Sequence, residues 1–270
     1  MSAARLTRQA AKQLSFGRTS RQDFWWIQPV AVFLGLPTFI VYSTWAAFQG
    51  DNYHLGSYLS PFYSPEIFGS SPHSLLGPKP DWWPVWLPFS PALLILWAPG
   101  GFRLTCYYYR GAYYKAFWAD PVACAVGEPR KCYLGERSFP LVFQNVHRYF
   151  LYLAIIFIFL LAHDAWKALW FVDAVSGKES FGMGVGTIVL TANVCLLGSY
   201  TFGCHSLRHL VGGLFDQMSS RPARQKAFDC VSCLNKKHML FAWMSLFSVG
   251  FSDLYIRMCA MGVWTDWRIF

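Results

Sequence analysis

The chain has 270 residues, of which 54% are hydrophobic, 19% aromatic and only 14% charged. A soluble domain carries about 25% charged residues, so this composition excludes a water-soluble globule, which would lack the charge to cover its own surface. The formal net charge of +9 lies beside apolar segments rather than in a separate basic region, so it does not indicate a nucleic-acid partner.

Apolar residues collect in five segments that are each long enough to cross a bilayer, which takes about 20 helical residues. The predicted spans are residues 25–48, 85–106, 150–172, 185–204 and 239–263. The sequence therefore predicts an all-α fold: an integral membrane bundle of five transmembrane helices at residues 25–270, preceded by a basic segment at residues 1–24. No internal repeat is visible, which favours a single membrane domain.

Two of the spans have unusual composition. Pro88, Pro91 and Pro99 interrupt the second span, which predicts a kinked or broken helix there. The fourth span begins in a glycine-rich run at residues 182–186, where small residues let helices approach closely.

The positive charges predict the orientation of the bundle. Eighteen of the 23 Lys and Arg residues lie before the first span, between Arg103 at the inner end of the second span and the start of the third, or between the fourth and fifth. Because positive residues concentrate on the cytoplasmic side of membrane proteins, we expect the N-terminus in the cytoplasm and the C-terminus outside. A basic cytoplasmic rim is also suited to docking an acidic soluble partner.

Two connections between the spans have patterns of their own. Residues 49–84, on the predicted outer side, are rich in Pro, Ser, Tyr and Trp and indicate either an ordered cap or an exposed loop. On the predicted inner side, residues 102–118 mix Arg and Lys with Tyr, Phe and Trp. That mixture predicts a helix that continues out of the membrane, with aromatic rings and cationic side chains at headgroup depth.

Histidines and cysteines gather at the predicted inner ends of the spans. The group consists of His147, His205, His209 and His238, with Cys106, Cys124 and Cys204. His205 and His209 are four residues apart and therefore share a helix face. Any one of these residues alone is best explained as a polar residue at a helix end, but the whole group favours a redox metal site. The run CVSCLNKKH, from Cys230 to His238, has zinc-like spacing but lacks a second matching pair, so it is the weaker candidate.

Three polar residues lie near the predicted outer ends of the spans: His163, Asp164 and Asp253. Acidic side chains within a membrane span are costly and are usually paired or functional. We favour a polar pair that closes the outer end of the bundle over a proton relay or a second ligand pocket.

Five stretches of the chain carry a family resemblance: LTCYYYRGAYYKAFW, DPVACAVGEP, FPLVFQNVHRYFLYLA, CHSLRH and KHMLFAW. From about residue 91 to its end, the sequence resembles the large, single, cytochrome b-like anchor subunits of bacterial succinate dehydrogenase and fumarate reductase. The resemblance implies a multi-pass subunit of the bacterial cytoplasmic (inner) membrane, surrounded by lipid. Its implied partners are a flavoprotein subunit and an iron–sulfur subunit of the respiratory chain and tricarboxylic acid cycle, and its implied substrate is membrane quinone.

The resemblance also implies a cofactor, either haem b or a Rieske-type [2Fe–2S] centre. The first two spans contain no histidine, which disfavours an arrangement of two haems with axial ligands from four helices. Haem b stays open as the alternative to the Rieske-type centre. A Rieske-type centre takes two thiolates and two imidazoles. We expect two ligands among Cys106, Cys124 and Cys204, and two among His205, His209 and His238.

Quinone is expected to bind close to that centre, lined by Arg103, Tyr107, Trp118 and His147. Aromatic rings would sandwich the quinone, while Arg or His would hydrogen-bond a carbonyl oxygen. Two other functions stay open: a structural anchor without a cofactor, in which the partner subunit reduces quinone directly, and a membrane transporter. Against a transporter, the sequence lacks an inverted repeat with paired broken helices.

Overall fold

The structure is a computed structural model that describes residues 15–119, 121–130, 139, 141–172, 177–213 and 220–270. These residues divide into two compact units. The first unit contains the described residues of 15–40 and 103–147, and the second contains those of 41–102 and 148–270.

Helices make up most of the described chain, with two short hairpins between them. In chain order the elements are α1 (Ile27–Gln49), β1 (His54–Leu55), β2 (Tyr58–Leu59), α2 (Pro91–Ile95), α3 (Trp97–Leu104), α4 (Tyr107–Tyr113), a π-helical turn (Tyr114–Trp118), a 3-10 helix (Leu141–Val146), α5 (His147–Lys167), β3 (Trp170–Val172), β4 (Glu179–Phe181), α6 (Val185–Phe202), α7 (His205–Gly212), α8 (Pro222–Lys236) and α9 (His238–Ala260).

Four of the helices that the structure describes, α1, α5, α6 and α9, are long and apolar enough to cross a membrane. Their outward faces carry large apolar side chains, such as Phe33, Ile156 and Phe247, which suits contact with lipid. The predicted helical membrane fold is confirmed at this level. The predicted count of five spans stays a prediction, because the second predicted span is not one continuous helix.

The second predicted span is helical only from Pro91 to Leu104, with an interruption at Leu96. Those residues cover about 21 Å, less than the roughly 30 Å of a hydrocarbon core. Pro99 explains the break, because a helical proline lacks an N–H and its ring collides with the carbonyl four residues earlier. That carbonyl belongs to Ile95, where α2 ends.

Beyond the break, the chain packs closely on α5. A Cβ atom built at Gly101 would lie 2.3 Å from the ring of Phe150, so only glycine admits this approach. The helical continuation predicted for residues 102–118 is present, with a second break at Thr105 and Cys106 between α3 and α4.

The segment after α1 forms an ordered cap, which we define as residues 50–90. The rings of Tyr53 and Tyr63 are stacked 4.2 Å apart, and both side chains are buried. Tyr53 donates a hydrogen bond of 2.8 Å to the buried carboxylate of Glu66, which also accepts one from Ser71. The structure therefore favours the ordered cap over the exposed loop.

The third predicted span ends earlier than expected. The sequence pattern ran to residue 172, but α5 ends at Lys167, and Trp170–Val172 pairs with Glu179–Phe181 as an antiparallel hairpin. The prediction was wrong at this boundary because aromatic and β-branched residues suit a strand as well as a lipid-facing helix. Only the pairing with Glu179–Phe181 shows that Trp170–Val172 is a strand and not a continuation of the helix.

The segment after α9 returns to the start of α6. Val185 donates a backbone hydrogen bond of 3.1 Å to Trp267, and the backbone N–H of Gly186 donates to the Asp266 carboxylate at 2.8 Å. Tyr58 and Tyr255 donate their hydroxyls to the same carboxylate at 2.8 and 2.7 Å. Asp266 thus accepts a hydrogen bond from a backbone N–H in the first turn of α6, which has no acceptor within the helix. Its negative charge is also favourable at the positive end of the helix dipole.

Each long helix has one end near the cap, and we call this its cap end; the other we call its basic end. The cap ends are at Gln49, Lys167, Val185 and Ala260. α6 and α9 run in opposite directions and pack against each other along their lengths.

Candidate functional site

In the first unit, Arg103 is held within a cluster of tyrosines. Its guanidinium donates a hydrogen bond of 3.0 Å to the hydroxyl of Tyr109, and its carbonyl accepts one of 3.4 Å from Tyr113. The two tyrosine rings are stacked 6.3 Å apart. Burial raises the pKa of Tyr109 to about 12, so its hydroxyl keeps its proton at neutral pH.

His147 contacts the segment between α3 and α4, two residues after Arg103. Its ring is buried, with 2% exposed, and Nδ1 lies 2.9 Å from the hydroxyl of Thr105. Thr105 follows Arg103 by two residues, so His147 contacts the short segment that also carries Arg103. The hydrogen bond to Thr105 fixes the orientation of the imidazole, whichever tautomer it takes.

The other two predicted quinone residues lie further along. Tyr107 is exposed, and the guanidinium of Arg110 lies over its ring at 4.9 Å. Trp118 is half-buried at the end of the π-helical turn, with its ring 5.7 Å from that of Tyr114.

The predicted thiol ligands of this unit differ in environment. Cys106 is buried at the start of α4, directly after Thr105. Cys124 is exposed, and its carbonyl accepts a hydrogen bond of 3.0 Å from Arg21. A second contact, from the backbone of Gly127 to the carbonyl of Arg18 at 2.8 Å, holds the segment before α1 along this loop.

In the second unit, two of the predicted imidazole ligands form a close pair on α7. The Nε2 atoms of His205 and His209 lie 2.9 Å apart, and both side chains are exposed. Desolvation, His209 and Arg208 lower the pKa of His205, which favours the neutral ring that a metal requires. Two imidazoles at this spacing can bind one metal ion.

The remaining predicted ligands of this unit lie around that pair. Cys204 is buried directly before α7. His238 lies at the start of α9, where its ring stacks on Tyr200 with 4.9 Å between centroids. The weaker candidates Cys230 and Cys233 are exposed on α8.

A Rieske-type centre fits these residues only in part. The histidine pair supplies two imidazoles, but among the described residues no three His, Cys, Asp or Glu side chains lie close enough to hold a metal together. Cys106 and Cys124 belong to the first unit and Cys204 to the second. The complete ligand set therefore stays a prediction.

The acidic residues near the cap ends are engaged with the cap. Asp253, with 0% exposed, accepts hydrogen bonds from Tyr42 at 2.7 Å and from Ser60, and it is paired with Arg257 at 3.4 Å. Asp164 accepts a hydrogen bond from Ser64. These contacts support a polar closure of the bundle.

Arg257 connects this closure to the backbone of the cap. With 1% exposed, its guanidinium donates to the carbonyl of Asp51 at 2.8 Å and lies 5.2 Å from the ring centre of Trp45. The sequence analysis did not recognise Arg257 as the partner of Asp253. The spacing of four residues was the available signal.

The fold and the site define a multi-helix membrane protein with histidine and tyrosine groups near helix ends. The chain belongs to the family of the actinobacterial succinate dehydrogenase subunit SdhC, whose model matches residues 27–262. It is similar to a chain of the Mycobacterium smegmatis Sdh1 complex in the apo form, with 42% identity, 96% of each chain covered and a TM-score of 0.84. No curated protein sequence matches it significantly.

This membership confirms the family resemblance, the membrane location and the partners. The chain is a membrane-anchor subunit of a bacterial succinate dehydrogenase complex, an oxidoreductase that also contains a flavoprotein and an iron–sulfur subunit. Membership of this family contradicts the alternative that the chain is a membrane transporter.

Proposed function

We propose that this anchor passes electrons from the iron–sulfur subunit to membrane quinone beside Arg103 and His147. The observation that supports this most is a pair of hydrogen bonds from one short segment: Arg103 bonds Tyr109, and Thr105, two residues further on, bonds His147. The break between α3 and α4 positions them, and it lies among aromatic side chains suited to a quinone ring.

Reduction of a quinone to a quinol takes two electrons and two protons. A guanidinium carries five N–H donors, so Arg103 can hydrogen-bond a quinone carbonyl while it stays bonded to Tyr109. That contact would strengthen as negative charge develops on the carbonyl oxygen. His147, oriented by its hydrogen bond to Thr105, is the residue we propose to supply a proton, because an imidazole can carry a proton on either ring nitrogen.

The proposal includes a [2Fe–2S] centre, which we predict from the types of ligand residue that the chain offers. The histidine pair is the part that the geometry supports, and haem b remains the alternative. If neither is bound, quinone is reduced directly by the partner subunit's cluster, and the roles of Arg103 and His147 are unchanged.

We further propose that the basic ends of the helices face the cytoplasm, as the distribution of Lys and Arg indicates. The residues expected to dock the iron–sulfur subunit include Arg110 and Arg130, together with Lys131 and Arg137, which lie outside the described residues. A reporter that works only outside the cytoplasm, fused after Phe270, should be active. Activity of a cytoplasm-only reporter at that position would reverse the orientation.

Replacing Arg103 by Leu tests the quinone site. A hydrogen bond from a charged donor contributes about 1.5–3 kcal/mol, so kcat/KM for quinone should fall roughly 10- to 150-fold. Succinate oxidation with a soluble artificial acceptor should be unchanged. Arg148→Leu is the matched control, because Arg148 is exposed next to His147. Equal losses in both variants would place the quinone elsewhere.

A further inference from the structure

A seam of polar residues runs between α6 and α9. On α9, His238, Ser245 and Ser252 recur every seven residues, and on α6, Asn193 lies seven residues before Tyr200. Seven residues make nearly two helical turns, so each series stays on one helix face. The two series meet where Tyr200 stacks on His238. Since the helices are antiparallel, Asn193 and Ser245 share a depth about 10 Å further on.

Two residues of this seam, one at mid-depth and one towards the cap end, hold polar atoms that no other described residue satisfies. Asn193 and Ser252 both have 0% exposed. Neither the amide nitrogen and oxygen of Asn193 nor the hydroxyl of Ser252 has a hydrogen-bond partner among the residues that the structure describes. In a bilayer, each unsatisfied polar group costs several kcal/mol. Ordered water is what usually occupies such positions in proteins.

At the cap end the seam reaches a hydrogen-bonded network. Ser252 directly precedes Asp253, which is bonded to Tyr42 and Ser60. Ser60 belongs to the cap. Towards the basic end, the seam passes Asn193 and reaches Tyr200. Along the helix axes, about 10 Å separates Ser252 from Asn193, and about 10 Å separates Asn193 from Tyr200. Roughly three hydrogen-bonded waters at about 2.8 Å spacing span each of these distances.

We propose that the seam between α6 and α9 holds a chain of ordered waters that carries protons from the Asp253 network to the level of Tyr200. This inference rests on the proposed function, in which quinone is reduced near the basic ends. The two electrons still come from the iron–sulfur subunit; the waters move only protons, and they deliver those that the reduced quinone binds. Asn193 positions the waters at mid-depth, with its amide as both donor and acceptor.

The test uses the three-subunit complex in liposomes with a pH-sensitive dye in the lumen. Succinate added outside drives only complexes whose soluble subunits face outwards, so their cap ends face the lumen. A short-chain quinone is the acceptor, and a potassium ionophore prevents a voltage. We expect the lumen to become alkaline as quinone is reduced. In Asn193→Leu, which removes both polar atoms but keeps the branched shape and the number of side-chain heavy atoms, the rate should fall at least ~10-fold.

Thr191→Val is the matched control, because Thr191 is exposed on the same helix and its hydroxyl donates to the carbonyl of Thr187, one turn earlier. It should leave the lumenal signal unchanged. A wild-type lumen that stays at constant pH during quinone reduction would overturn the proton path, as would an unchanged rate in Asn193→Leu. Loss of quinone reduction in the wild type would instead overturn the proposed function.

A second measurement does not depend on turnover. A density map of the complex in a lipid disc, at a resolution that shows waters, should contain water within hydrogen-bond distance of the Asn193 amide. The same position should be dry in Asn193→Leu. A dry Asn193 in the wild-type map would overturn the proposal whatever the activity of the complex.

Discussion

Replacing Asp253 by Ala is expected to destabilise the protein by about 3–5 kcal/mol, because it leaves the charge of Arg257 buried without its partner. Both side chains are almost fully inaccessible, and the carboxylate also accepts hydrogen bonds from Tyr42 and Ser60. The free energy of unfolding, measured by chemical denaturation in detergent micelles, checks this value.

Two further variants separate the charge pair from the rest of the site. Asp253→Asn keeps hydrogen-bonding capacity and should lose less stability than Asp253→Ala. The double variant Asp253→Leu with Arg257→Met removes both charges, and replacement of a whole buried pair by apolar residues is often nearly neutral. If the double variant were as unstable as the sum of the two single changes, Arg257 would not depend on Asp253.

Replacing both His205 and His209 by Ala is expected to abolish a Rieske-like paramagnetic signal of the complex, and to remove the two irons of one [2Fe–2S] centre. The reason is the 2.9 Å separation of their Nε2 atoms, which suits two imidazoles on one iron. Electron paramagnetic resonance and iron analysis of the purified complex provide the measurement.

His163→Ala is the matched control for this pair, because His163 lies at the other end of the bundle, on α5. It should retain both the signal and the iron. Wild-type complex whose iron is fully accounted for by the iron–sulfur subunit would contradict the centre and support the cofactor-free anchor. Haem absorbance that disappears with one of the two histidines would support haem b.

The long helices could be predicted from the sequence because lipid imposes one requirement on all of them. A span must be apolar, helical and about 20 residues long, and these features are local. The start of α6 was predicted at its observed residue, and the broken second span followed from Pro99 and its neighbours. The end of α5 was not, because it depends on the strand that pairs with Trp170–Val172.

The contacts of the site were less predictable than its residue types. Arg103 and His147 were expected near quinone, but their partners Tyr109 and Thr105 were not singled out. Three consecutive tyrosines at residues 107–109 do not show which ring faces Arg103 until the break before α4 is known. Asp266 was also missed as the cap of α6, because its partners are distant in sequence.

The measurement that tests the account most directly compares quinone reduction by the flavoprotein and iron–sulfur subunits with and without this chain. With the chain present, succinate should reduce both quinone and a soluble artificial acceptor. Without it, the soluble pair should reduce the artificial acceptor at an unchanged rate, and quinone at least ~100-fold more slowly, because the anchor holds quinone in place for electron transfer. Equal rates of quinone reduction in both preparations would contradict a quinone site in this subunit.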